Sequence, residues 1–199
     1  MLGQLAAPPG IQNPMKIMLL RHGKPDFSVH WLNPKEGVKH SLNLYATSRV
    51  TTAVPDELST LSSSVDTCVT SELIRTIDSA KLLGFKVTTA SALFNESELP
   101  FPNRLLFPLS WKLFLVLYRL LWFFGCSQNC PGKLKDKERA RLGSVHLANL
   151  AANNEVVLLI GHGIINRLIC SELQKSGWSI DDKSGLSYWS SITLSYPHL

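Results

Sequence analysis

Two apolar runs set the pattern of this chain. Ile17-Met18-Leu19-Leu20 and Val156-Val157-Leu158-Leu159-Ile160 are short, unbroken and bounded by polar or turn residues. Such runs are expected of strands covered on both faces, although four or five apolar residues also fit a buried helix. β-Branched residues in the second run favour the strand. Both end alike, the first in Arg21-His22-Gly23 and the second in Gly161-His162-Gly163. As parallel neighbours they would deliver both histidines to one carboxyl edge of a sheet, where open α/β folds bind ligands.

The segments between them alternate in type. Lys24 to about His40 is rich in Pro, Asn and Gly and reads as a long loop over that edge. A helix is expected at about Leu42 to Ala53, and another from Pro55 through Leu61, followed by a loop at Ser62-Ser63-Ser64. Thr67-Cys68-Val69-Thr70 reads as a strand. Ser71 fits a helix N-cap, with Glu72 in the first turn. Leu73, Ile74, Ile77, Ala80 and Leu83 then form a helical stripe that Gly84 ends. Phe85 to Thr89 is a third strand, and Phe94 to Pro102 is a Pro-bounded loop carrying Glu96 and Glu98.

The most hydrophobic stretch, Leu105 to about Cys126, predicts a helix from about Ser110 to Phe124 that is apolar nearly all round. Pro108, Ser110, Lys112 and Arg119 interrupt it, so no uncharged run reaches the ~18 residues of a membrane span. Its apolar surface is expected to cover the ligand edge, to pack in a homodimer, or to lie on a membrane surface. After a loop to Gly132, Lys135 to Ala152 reads as an amphipathic helix with Leu142, Val145, His146 and Leu150 turned inward. Ile164 to Lys175 is a helix with Ile165, Leu168, Ile169 and Leu173 in register, stopped at Gly177. Ser187 to Tyr196 alternates as a final strand.

Length and composition fit one domain at residues 15–199 with a real core, because 199 residues at 45% hydrophobic and 18% charged is an ordinary globular balance. Met1 to Pro14 has no basic start and no signal-like apolar core, and reads as a poorly ordered leader. The net charge of +5 comes without a Lys/Arg block, which argues against nucleic acid and suits a pocket for anions. Cys126 and Cys130 lack a second pair to complete a zinc site, and Cys68 and Cys170 sit in apolar contexts as buried thiols. A reducing, cytoplasmic setting is expected, with no metal and no cofactor.

The chemistry lies in the two histidine turns. An arginine offers a planar fork for phosphate oxygens, and a histidine is a nucleophile near neutral pH. Arg75 falls in the first turn of a helix that opens at a strand's carboxyl end, a position that attracts phosphate. Glu96 and Glu98 are either solvated loop charges or a proton donor.

Arg21-His22-Gly23, then Ser71-Glu72-Leu73-Ile74-Arg75 opening a helix, an acidic loop and Gly161-His162-Gly163 together resemble the histidine phosphatase superfamily, also called phosphoglycerate mutase-like. The order and spacing agree from about residue 15 to 194. The resemblance implies an α/β fold, a three-layer α/β/α sandwich around a mainly parallel sheet. It implies a histidine acid phosphatase-type hydrolase of small phosphorylated substrates. His22 would take the phosphoryl group as phosphohistidine, Arg21, Arg75 and His162 would hold it, and Glu96 would protonate the leaving oxygen, with Glu98 in reserve. A mutase-type phosphotransferase and a non-catalytic phosphate- or partner-binding protein are the alternatives. Lys24-Pro25-Asp26 after Gly23, and Thr76-Ile77-Asp78 after Arg75, depart from the mutase pattern and favour the hydrolase.

Overall fold

The computed structural model describes residues 14–34, 37–51 and 53–196. The expected leader, apart from Pro14, lies outside the described residues.

The two apolar runs are neighbouring strands. β1 (Met15–Arg21) pairs in parallel with a strand at Val156–Gly161, Ile17 opposite Val157 and Arg21 opposite Gly161. In chain order the remaining strands are β2 (Trp31–Leu32), β3 (Thr67–Thr70), β4 (Thr89–Ala90) and β5 (Leu109–Ser110). The partner of β1 is β6, and β7 (Ser179–Lys183) and β8 (Ser191–Tyr196) complete the set. Six strands form one sheet in the order β4-β3-β6-β1-β8-β7. β4, β3, β6 and β1 are parallel, while β8 runs antiparallel to both β1 and β7. β2 and β5 pair separately.

The helices are α1 (Val38–Thr47), α2 (Ile74–Leu82), α3 (Trp111–Phe123), α4 (Lys133–Ala151) and α5 (Gly163–Lys175). Ile17, Leu19, Val157 and Leu159 belong to a core cluster shared with α4 and α5. Their neighbours Leu20, Leu158 and Ile160 face the other way, into a cluster with Ala80 and Leu83 at α2. Both faces of the central strands are therefore covered, which is why their sequence is apolar without alternation. Each fully buried Leu or Ile there contributes roughly 1.5–3 kcal/mol. The result is the expected α/β/α sandwich.

A third cluster sits apart from these two. Val38 of α1 and Trp111 and Phe114 of α3 pack with Leu32 and Leu99. One face of the apolar helix is thus a packed wall.

Several boundaries differ from the sequence reading. The first helix runs from Val38 to Thr47 instead of 42 to 53, because beyond Ser48 the chain extends to bridge Val50 with Pro25. The expected helix through Leu61 is two 3-10 turns, Asp56–Leu58 and Leu61–Ser63. Ser59, Ser63 and Ser64 hydroxyls bond back to carbonyls three residues earlier, a local alternative to a helix. The third strand is only Thr89–Ala90, since Phe85 and Val87 pack into the core beside α2 instead. β7 was not anticipated; all five of its residues are exposed, so it carries no alternation. β8 starts at Ser191, after Trp189 takes the left-handed region at φ 63°.

The inward face of α4 is not the one expected. Leu142 and Val145 are exposed, His146 and Leu150 are half-buried, and Ala140, Gly143, Ser144, Leu147 and Ala151 are buried. Small residues let α4 lie close to its neighbours: a Cβ on Gly143 would stand 3.3 Å from Phe94 and 3.5 Å from Ile169.

Candidate active site

The parallel register of β1 and β6 brings the two histidine turns together. The His22 backbone N–H donates to Gly161 O at 3.1 Å, and the His22 and His162 rings meet edge to face with centroids 4.9 Å apart. Both residues are buried. Close packing explains the flanking glycines. A Cβ on Gly23 would run into the Trp189 ring and Val50, and one on Gly161 would run into the Asn166 carboxamide. Asn166 fastens the turn: its Nδ2 donates to Leu20 O at 3.1 Å, and its Oδ1 accepts from the His162 N–H at 3.3 Å.

A hydrogen bond sets the His22 tautomer, and the His162 tautomer follows the direction of the Ser71 hydroxyl. His22 Nδ1 donates to Gly23 O at 2.7 Å, which leaves Nε2 with its lone pair. Ser71 Oγ lies 2.8 Å from His162 Nε2 and 2.9 Å from Thr76 Oγ1. With Ser71 donating to Nε2, the His162 proton sits on Nδ1, a buried nitrogen with no partner. Ser71 is therefore not the N-cap; Leu73 occupies that position, and Ser71 Oγ accepts from the Leu73 N–H at 3.2 Å.

Two guanidiniums complete the set. Arg21 lies 4.4 Å over the Tyr188 ring and donates through Nη1 to Leu186 O at 2.7 Å. Arg75 is buried, 5.0 Å over the Tyr45 ring, with Nη1 3.4 Å from Tyr45 O and 3.3 Å from Ala46 O. The Nε atoms of both are buried without partners. Ser79 ties the helix carrying Arg75 to the first turn: it accepts from the Gly23 N–H at 2.9 Å and donates to Arg75 O at 2.7 Å.

This environment keeps the histidines neutral. Burial, then the Arg75 and Arg21 charges, lower His22 to about 3 despite an opposing pull from the Gly23 carbonyl. Burial first, then Arg75, His22 and Arg21, lower His162 as well. Burial also pushes the Tyr45 phenol up to about 12. The site thus holds fixed positive charge, neutral imidazoles and three buried nitrogens awaiting partners, a combination that suits a tetrahedral dianion.

Glu96 and Glu98 border the same cavity but differ in anchorage. Glu98 is exposed. Glu96 Oε1 accepts from the N–H groups of Ile164 and Ile165, both at 3.2 Å, so its carboxylate caps the start of α5 directly after His162. Two arginines hold the Glu96 loop. Arg119 of α3 donates to Ser97 O at 3.0 Å, and Arg139 of α4, paired with Asp136 at 2.7 Å, donates to Leu93 O and Asn95 O.

A cavity of about 540 Å³ opens beside Arg75, Tyr45 and Glu96. Lys39, Asn43 and Asn129 supply polar lining, and Leu42, Leu99, Phe101 and Leu115 supply apolar lining. Among the described residues no cluster of three or more His, Cys, Asp or Glu could hold a metal ion. The thiols of all four cysteines are free.

Sequence reasoning singled out Arg21, His22, Arg75, Glu96 and His162; the rings of His22 and His162 touch, Arg75 and Glu96 line the cavity, and Arg21 lies over Tyr188. It missed Tyr45, Tyr188, Ser79 and Asn166 and gave Ser71 another part. Asn166 follows His162 by four residues, one helical turn, which is the only signal it offered.

No family model matches the chain, and no curated protein matches it. Solved structures do. A mycobacterial hydrolase is 15% identical, with 92% of this chain and 91% of that one covered, at a TM-score of 0.58. A phosphoserine phosphatase from Entamoeba histolytica, bound to phosphoserine, is 14% identical over 89% of each chain, at 0.55. A phosphoglycerate mutase from Thermus thermophilus is 17% identical over 90% and 92%, at 0.51. These likenesses establish the fold, which is phosphoglycerate mutase-like.

Proposed function

On this fold, we propose that the chain is a metal-independent phosphomonoester hydrolase working through a phosphohistidine on His22. One observation carries the reading. His22, its Nδ1 tied to Gly23 O, is in ring contact with His162 and lies under the charges of Arg75 and Arg21, and Arg21 Nε, Arg75 Nε and His162 Nδ1 are buried without partners.

The steps follow from these groups. The phosphoryl oxygens take the hydrogen bonds of both guanidiniums and of His162, which neutralises their charge and sets phosphorus in line with Nε2. Nε2 attacks, the N–P bond forms, and the ester P–O bond breaks. The leaving oxygen takes a proton from Glu96, which is anchored at the start of α5 just after His162 and lines the cavity. Water, giving its proton to Glu96, then attacks phosphorus, and phosphate leaves with His22 restored. The low basicity of His22 keeps Nε2 unprotonated at neutral pH and makes the imidazole a ready leaving group in the second step.

The cavity favours a leaving group with an apolar body and a polar tip. Two neighbours are named for phosphoserine and phosphoglycerate chemistry, so small phosphometabolites belong in the same panel. Free thiols on all four cysteines fit a reducing setting such as the cytoplasm. Hydrolysis of a generic aryl phosphate in chelator, wild type against His22→Ala, tests the reading. Chelator-resistant turnover lost in the variant is expected; turnover that survives the substitution refutes it.

A further inference from the structure

Helix α3 has a second face that no described residue covers. Trp111, Phe114 and Trp122 are buried, and Leu115 and Tyr118 pack inward beside them. On the opposite side Leu113, Val116, Leu117, Leu120, Leu121 and Phe124 recur at i, i+3, i+4, i+7, i+8 and i+11, which makes one continuous stripe. All six are exposed, Phe124 at 88%. Leu106, 92% exposed, precedes the helix, and Leu134, 82% exposed, follows it. Lys133 Nζ donates to Phe123 O at 2.8 Å, which sets the start of α4 against the end of α3.

The charges nearest this stripe in the sequence are of one sign. Residues 99–135 contain five basic residues and no acidic one. Arg119 is turned inward to Ser97 O, while Arg104, Lys112 and Lys135 are exposed and Lys133 is partly so. The next acid, Asp136, is buried and paired with Arg139. A second copy seated here about a twofold axis would set this basic rim against itself. Anionic headgroups complement it. Thirteen residues reach about 20 Å, short of the ~30 Å hydrocarbon layer, so the helix lies in the plane of a bilayer and does not cross it.

We infer that the outer face of α3 docks on an anionic lipid surface, with the leucine stripe in the interface and Arg104, Lys112, Lys133 and Lys135 against lipid phosphates. The test is flotation of the full chain with vesicles of phosphatidylcholine alone, or of equal parts phosphatidylcholine and phosphatidylglycerol. Wild type floats with the anionic vesicles at low salt and is released at high salt. Flotation is lost in Leu117→Glu/Leu120→Glu. It is also lost in Lys112→Glu/Lys135→Glu, which leaves the apolar stripe untouched. Thermal unfolding of each variant is measured alongside. The inference fails if wild type stays unbound with anionic vesicles, or if the lysine variant floats as well as wild type. It also fails if wild type sediments as a dimer that ignores vesicles.

Discussion

Acidification should destabilise the unliganded protein through His22, by an amount the structure sets. Folding lowers the group to about 3, mainly by burial and then by Arg75 and Arg21, against about 6.5 in the unfolded chain. The unfolded state therefore binds more protons below 6.5, and stability falls as pH falls from there, levelling off below about 3. Nothing is lost above about pH 7. At pH 5 the separation from 6.5 is about 1.5 units, so the cost is roughly 2 kcal/mol. Urea unfolding in phosphate-free buffer at pH 7.5 and pH 5, on wild type and His22→Asn, isolates this contribution. Any constant offset between the two proteins cancels, because only the change with pH is compared. Wild type should lose roughly 2 kcal/mol more than the variant over that interval. Parallel losses, within about 0.5 kcal/mol, would refute the buried neutral histidine.

Other expectations follow from neighbouring groups. Arg75→Ala should lower turnover by about 10²–10³-fold, as loss of a preorganised donor does, and should weaken inhibition by inorganic phosphate. Glu96→Gln should slow esters with poor leaving groups by about 10²–10⁴-fold and aryl phosphates much less, whereas Glu98→Gln should change neither; equal effects would reverse the assignment. Asn166→Ala removes the side chain linking Leu20 O to the His162 N–H and should cost about 1–3 kcal/mol in urea unfolding.

The legible parts of the sequence were those where one residue type has one physical use. Unbroken apolar runs mean strands covered on both faces, and β1 and β6 were found that way, while β3 was read from its β-branched residues. The two histidines and Arg75 were legible because strand ends and helix starts place them. Long-range partners were not: Ser79 joins α2 to Gly23 from 56 residues away, and Arg119 and Arg139 fix the Glu96 loop from distant helices. The inward face of α4 was misread because its packing depends on small residues, which carry little hydropathy signal. The exposed strand β7 is held by pairing with β8, which no alternation announces. The apolar α3 was seen as a helix, but which side was buried depended on Phe27, Leu32 and α1 arriving from elsewhere in the chain.

The central claim is that His22 Nε2 carries the phosphoryl group. Rapid quenching of a reaction with a radiolabelled phosphomonoester, under basic conditions that preserve phosphohistidine, tests it directly. The account predicts protein-bound, acid-labile label on His22, absent in His22→Ala. Turnover by wild type with no such label, or the same label in His22→Ala, would contradict it.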